Sequence, residues 1–199
     1  MPKSADTVQI DFHAAATLRY MRDCMEGAAS FVVPGSAGIA LGAIGLLSTL
    51  LSSAPSLHDY WLQIWLLAGL AAAGVGGVLL VRESSLRGLR LIGTPIRKFA
   101  LCLIPSLAAG LIMTAVHWSY GNVHAIPGTW LLFYGCALIS ASTVTTRTIG
   151  VLGASFALLG SLALLLPVGA QIFMLGAGFG GLHIVFAILI RRVGHGRQI

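Results

Sequence analysis

The sequence predicts an all-α, polytopic integral membrane bundle. It comprises six transmembrane helices laid out as three hairpins, preceded by an amphipathic interfacial helix. Three observations predict this class. The chain of 199 residues is 57% hydrophobic and 9% charged, with six acidic residues in all. A soluble domain carries about a quarter charged residues, so the outside of this chain must face lipid. Six long apolar runs are continuous rather than alternating, which favours helices over barrel strands as the way to satisfy the backbone inside a bilayer. Basic residues flank those runs and occupy every second gap between them.

The order begins with an N-terminal segment, 1–30. Residues 1–7 are polar. From about Ile10 to Glu26, Ala14, Leu18, Met21 and Met25 recur at helical spacing. Asp11, Arg19, Arg22, Asp23 and Glu26 fall mainly on other faces. A polar-faced helix beside a span fits the membrane interface; the alternative is a partner-binding helix. The first apolar run starts at Phe31, behind this charged segment, so it is expected to be retained rather than cleaved as a signal peptide.

The membrane domain, 31–190, contains apolar segments at 31–51, 61–81, 99–118, 129–145, 149–166 and 169–190. Each matches the roughly 20 helical residues that cross a hydrocarbon core, with the fourth and fifth on the short side. Arg147 is the only clear divider between those two. A basic tail, 191–199, closes the chain.

The stretch Arg82 to Lys98, RESSLRGLRLIGTPIRK, organises the orientation. It holds Arg82, Arg87, Arg90, Arg97 and Lys98. Lys3, Arg19 and Arg22 precede the first span, Arg147 lies between the fourth and fifth, and Arg191, Arg192 and Arg197 follow the last. The first, third and fifth loops carry none, so all twelve Lys and Arg residues fall on one side. Basic residues mark the cytoplasmic side, so both termini are expected in the cytoplasm and the chain in the cell (inner) membrane.

Small residues recur at four-residue spacing. Examples are Gly38 and Gly42; Gly69, Ala73 and Gly77; Gly153 and Ala157; and Gly176 and Gly180. Such patterns let helix backbones approach closely in lipid, and packing within the chain is the expected use. Pro105 removes an i to i−4 hydrogen bond and should bend the third span. Cys24, Cys102 and Cys136 follow no metal-like spacing and read as buried free thiols.

The last two spans run from IGVLGASFALLGSLALLL through Pro167 to QIFMLGAGFGGLHIVFAILIRR, and the first two are similarly composed. In this the chain resembles the HdeD-like acid-resistance membrane proteins, which look like three tandem helical hairpins. The resemblance implies a stress-related, non-enzymatic membrane protein and carries no catalytic motif across.

Chemistry has few places to sit. No Asp, Glu, Lys or Arg lies deep in a predicted span, which counts against a proton-coupled pump. His183 is the one ionisable residue well inside. It reads as a relay or gate, or as a neutral imidazole bonded to a neighbouring helix; without an acid partner the second is favoured. Gln63, Tyr134, Ser140 and Gln171 are further cross-helix donors. In the basic-free loops, His58, Asp59, His117 and His124 could hold zinc or copper, or sense acid, if the loops converge. Their spacing matches no zinc motif, and solvated loop histidines are the plainer reading.

No P-loop, GxSxG or HExxH motif is present, and no nucleophile and base pair is visible. Basic residues flank apolar runs instead of forming a stripe interleaved with aromatics, which excludes nucleic acid as the partner. The expected role is a non-enzymatic membrane protein without cofactor or metal: structural, stress-associated, or a subunit of a membrane complex. Its partners would be the lipid bilayer and a membrane protein or a second copy of itself. The alternative is a small-solute transporter or channel.

Overall fold

The computed structural model describes residues 17–18, 34–86, 94–167 and 169–195. Among them all regular structure is helical. The helices are α1 (Gly35–Ser53), α2 (Trp61–Leu86), α3 (Thr94–Ser119), α4 (Ile126–Ser142), α5 (Arg147–Leu165), α6 (Gln171–Leu175) and α7 (His183–His195). A π-helical stretch, Gly176–Leu182, joins α6 to α7 and makes them one continuous sixth span. Six helical stretches are long and apolar enough to cross a membrane, which fits an integral membrane protein.

Local chemistry sets the ends. Pro34 caps α1 with extended backbone, and Pro127 sits in the first turn of α4, where a missing N–H costs nothing. The α4–α5 turn is closed by hydroxyls. Ser142 Oγ donates to the Ile139 carbonyl at 2.6 Å, Thr143 Oγ1 to Ser140 at 2.7 Å and Thr145 Oγ1 to Ala141 at 2.9 Å. These satisfy carbonyls that the end of a helix leaves open. The turn into α6 uses Gly169 at φ +109°, a region that favours glycine. Gln171 closes that turn: its Oε1 accepts from Gly169 N at 2.9 Å and its Nε2 donates to the Leu166 carbonyl at 3.4 Å. The residue expected to join helices thus works locally. Gln63 and Ser140 are exposed.

Helices α2 and α3 run past their apolar limits, so Arg82 and Glu83 lie in the last turns of α2, and Arg97 and Lys98 in the first turns of α3. Pro105 sits inside α3 without ending it. Of the predicted interfacial helix only Thr17 and Leu18 are described, both helical and exposed. The remainder of that helix, Cys24, 87–93 and 196–199 lie outside the described residues.

Packing keeps α1 against α2 and α3 against α4, as two of the three predicted hairpins require, but seats the sixth span mainly away from α5. The most extensive contact is between α4 and α5, and α3 lies against α4. The sixth span packs chiefly on α1 and only lightly on α5. Close approach explains the two tight pairings. A Cβ on Gly153 would lie 2.8 Å from the Gly135 carbonyl, and one on Gly160 would lie 2.8 Å from the Gly128 carbonyl. A Cβ on Gly38 would meet Ala187 Cβ at 2.9 Å, and one on Gly45 the Phe179 carbonyl at 2.8 Å. Backbones at this distance gain dispersion contact that lipid cannot supply. The core between α4, α5 and the sixth span is built from Leu131, Leu138, Ile149, Leu152, Phe156, Ala163 and Leu175. Cys102 is half-buried, but Cys136 is exposed on the bundle surface, not buried as expected. Its helix turns Gly135, Ala137 and Leu138 inward and leaves position 136 facing out.

Candidate functional site

The polar centre of the bundle forms where the π-helical stretch meets α4. His183 opens α7 and is 5% exposed. Its Nδ1 lies 3.0 Å from the Phe179 carbonyl, and its Nε2 lies 3.0 Å from the Tyr134 hydroxyl of α4. A carbonyl only accepts, so Nδ1 carries a proton. In the neutral imidazole Nε2 is then the acceptor, and Tyr134 donates to it. Both ring nitrogens are engaged, so neither is available to a metal or substrate without breaking one of these bonds.

Aromatic rings close the space around this pair. The Phe156 ring stands edge-on to Tyr134 at 4.9 Å and to His183 at 5.2 Å. Phe179 stacks on His183 at 6.2 Å, and Trp65 of α2 reaches Phe179 at 5.9 Å. These are favourable centroid separations for aromatic pairs. The centre is therefore a filled junction of α2, α4, α5 and the sixth span.

At the end of the bundle free of Lys and Arg, the loop histidines do not assemble. His58 and Asp59 are exposed in a short 3-10 turn, His58–Tyr60, and His58 Nδ1 lies 3.3 Å from the Ser52 carbonyl. His124 is exposed in a second such turn, Val123–Ala125. His117 bonds instead to α4. Thr129 donates to the Ala125 carbonyl at 2.7 Å, so its oxygen accepts from His117 Nε2 at 3.2 Å. Among the described residues, no three His, Cys, Asp or Glu side chains are grouped to hold a metal ion.

Sequence reasoning missed a second polar seam beside His117. Trp130 Nε1 donates to Thr114 Oγ1 at 2.9 Å, and Thr114 donates to the Gly110 carbonyl at 2.8 Å. The Trp130 ring covers Gly110, where a Cβ would meet it at 3.3 Å. A threonine four residues after a glycine was the available signal, but its tryptophan partner lies on another helix.

Helix α2 is the least buried span. None of the residues in its most apolar window is buried within the chain, against 6% for α3 and 28% to 44% for the other four. Gly69 and Gly77 have nothing within 4 Å of where a Cβ would stand. Ala73, Gly74, Gly77, Val78, Val81 and Arg82 line a shallow apolar groove along this exposed face. The small-residue pattern packed within the chain on α1, α5 and the sixth span is here unoccupied. Searched against known protein families, curated proteins and solved structures, the chain matches none.

Proposed function

We propose that this chain is a non-enzymatic subunit of a membrane assembly, and that it docks to another transmembrane helix through α2. The unburied small-residue face of α2 carries this reading. In lipid, helices associate by close packing at small residues rather than by hydrophobic transfer, and this face offers that packing to a neighbour outside the chain. The Tyr134–His183 centre supports a scaffold over a transporter, because both ring nitrogens of His183 bond within the chain and aromatic rings pack around it. The distribution of basic residues supports placing both termini in the cytoplasm, in the cell (inner) membrane. A stress-associated role for the assembly rests on the resemblance to HdeD-like proteins.

The test is a double substitution, Gly69→Leu with Gly77→Leu. Both positions face open space, so the isolated fold should tolerate it. Wild-type protein extracted with its lipid annulus should carry a second polypeptide, either another copy or a different membrane protein. The double variant should lose it with no drop in melting temperature. A wild-type protein that is always a lone monomer, or a variant that keeps its partner, would overturn the proposal.

A further inference from the structure

Two neighbouring spans in the sequence are left largely uncovered. Helix α2 packs chiefly on α1 and α3 chiefly on α4. None of the most apolar window of α2 is buried within the chain, and only 6% of that of α3. The side of each helix that turns outward has a regular spacing. On α2 it carries Leu67, Leu70, Gly74, Gly77 and Val81, all exposed. On α3 it carries Leu101, Ile104, Ala108, Leu111, Ala115 and Trp118, also exposed. Steps alternating between three and four residues keep each set on one face along the helix, the spacing of a seam that meets another helix. The inward side of α3 is a different face, with Gly110 under the Trp130 ring and Thr114 bonded to Trp130.

The sizes along the two faces are complementary. Trp61 and Trp118 stand at the ends free of Lys and Arg, and Arg82 and Arg97 at the basic ends, with equal lengths of helix between them. Levelled by these ends, Gly74 and Gly77 of α2 stand opposite Ile104 and Leu101 of α3. Leu70 stands opposite Ala108, and Leu67 falls between Leu111 and Ala115. Within one chain this match is unused, since both faces are exposed. Two copies insert in the same sense, so the α3 of one runs antiparallel to the α2 of the other. We infer that the helix docked on α2 is the α3 of a second copy, in a two-fold dimer that makes this contact twice. The inference rests on the docking reading of α2 and names its partner. A contact of α2 with α2 would be parallel instead. It would set Leu70 on Leu70 and Gly74 on Gly74, large on large and small on small. Area also favours the exchange. These faces expose three large side chains on α2 and four on α3. At roughly 100 Å² each, two copies would bury about 1,400 Å², within the range of about 1,200–2,000 Å² for specific interfaces. Pairing through the α2 face alone would bury less than half of that. In lipid the gain is close packing of large against small side chains rather than transfer from water.

Two differently tagged copies, expressed together in a background without the native cysteines, test this in intact membranes. Gly74→Cys in one copy and Ile104→Cys in the other should give an oxidised product carrying both tags. Gly77→Cys with Leu101→Cys should do the same. Gly74→Cys should link neither to itself nor to Leu111→Cys, which lies about 9 Å further along the axis. All these positions are exposed, so the fold of each copy should tolerate the changes. A size exchange gives a second measurement. Gly74→Leu with Gly77→Leu should abolish the dimer, and adding Leu101→Ala with Ile104→Ala should restore it. Self-linking of Gly74→Cys at the level of the mixed pair, or no restoration by the size exchange, would overturn the inference. A chain bound only to a different membrane protein would overturn it and leave docking through α2 standing. A chain that is always a lone monomer would overturn both.

Discussion

Replacing Phe156 by alanine should cost about 2.4 kcal/mol, less than the usual loss for such a change in a water-soluble core. Phe156 is fully buried and touches Tyr134, Phe179 and His183 with ring centroids 4.9 to 5.3 Å away. In a soluble protein, truncating such a residue costs about 3–5 kcal/mol, which combines lost transfer from water with the cavity left behind. In a bilayer the separated helices already hold Phe156 in hydrocarbon, so the transfer part largely cancels. The cavity part remains. Removing roughly 100 Å³ at about 24 cal/mol per Å³ gives the figure above. Phe156→Leu, which nearly preserves volume, should cost less than about 1.5 kcal/mol. Reversible unfolding in mixed micelles with increasing SDS measures both. A loss of about 5 kcal/mol for Phe156→Ala would mean that the separated state exposes this residue to water, and the lipid-reference argument would fail. A loss below about 0.5 kcal/mol would mean that Phe156 is not packed as described.

Two further outcomes are expected. In a background without native cysteines, Ser56→Cys and Asn122→Cys should react with an impermeant thiol reagent in intact cells, while Ser85→Cys stays protected; the reverse pattern would invert the proposed orientation. Tyr134→Phe and His183→Asn should each lower stability by about 1 kcal/mol or less, in line with interhelical hydrogen bonds in membranes. Loss of the cellular phenotype of the chain in a fully stable His183→Asn variant would show that His183 has a role beyond packing.

The six spans and their basic flanks were legible because lipid imposes length and apolarity on each segment separately. The pairings of α4 with α5 and of the sixth span with α1 were not. The spans are apolar on every side, so no polar face marks which way each one turns. Small residues announce close approach but not the partner. Gly69, Ala73 and Gly77 of α2 read like Gly153 and Ala157 of α5, yet only the α5 pair is packed within the chain. His183 and Tyr134 were each visible as possible donors, but their meeting depends on how two spans are rotated against each other, which spans apolar on every side do not mark. Thr114 and Trp130 escaped notice for a related reason, since their bond joins two helices whose relative rotation the sequence leaves open.

Whether α2 docks another helix can be read in intact membranes. A benzophenone group would be attached to a cysteine placed, one at a time, along α2 in the background without native cysteines. On illumination it should capture a polypeptide at Gly69→Cys, Ala73→Cys and Gly77→Cys, the positions that share the exposed face. Capture should fall away at Ile64→Cys and Leu80→Cys, which are half-buried. Products confined to lipid along the whole exposed face, or equal protein capture at every position, would contradict the account.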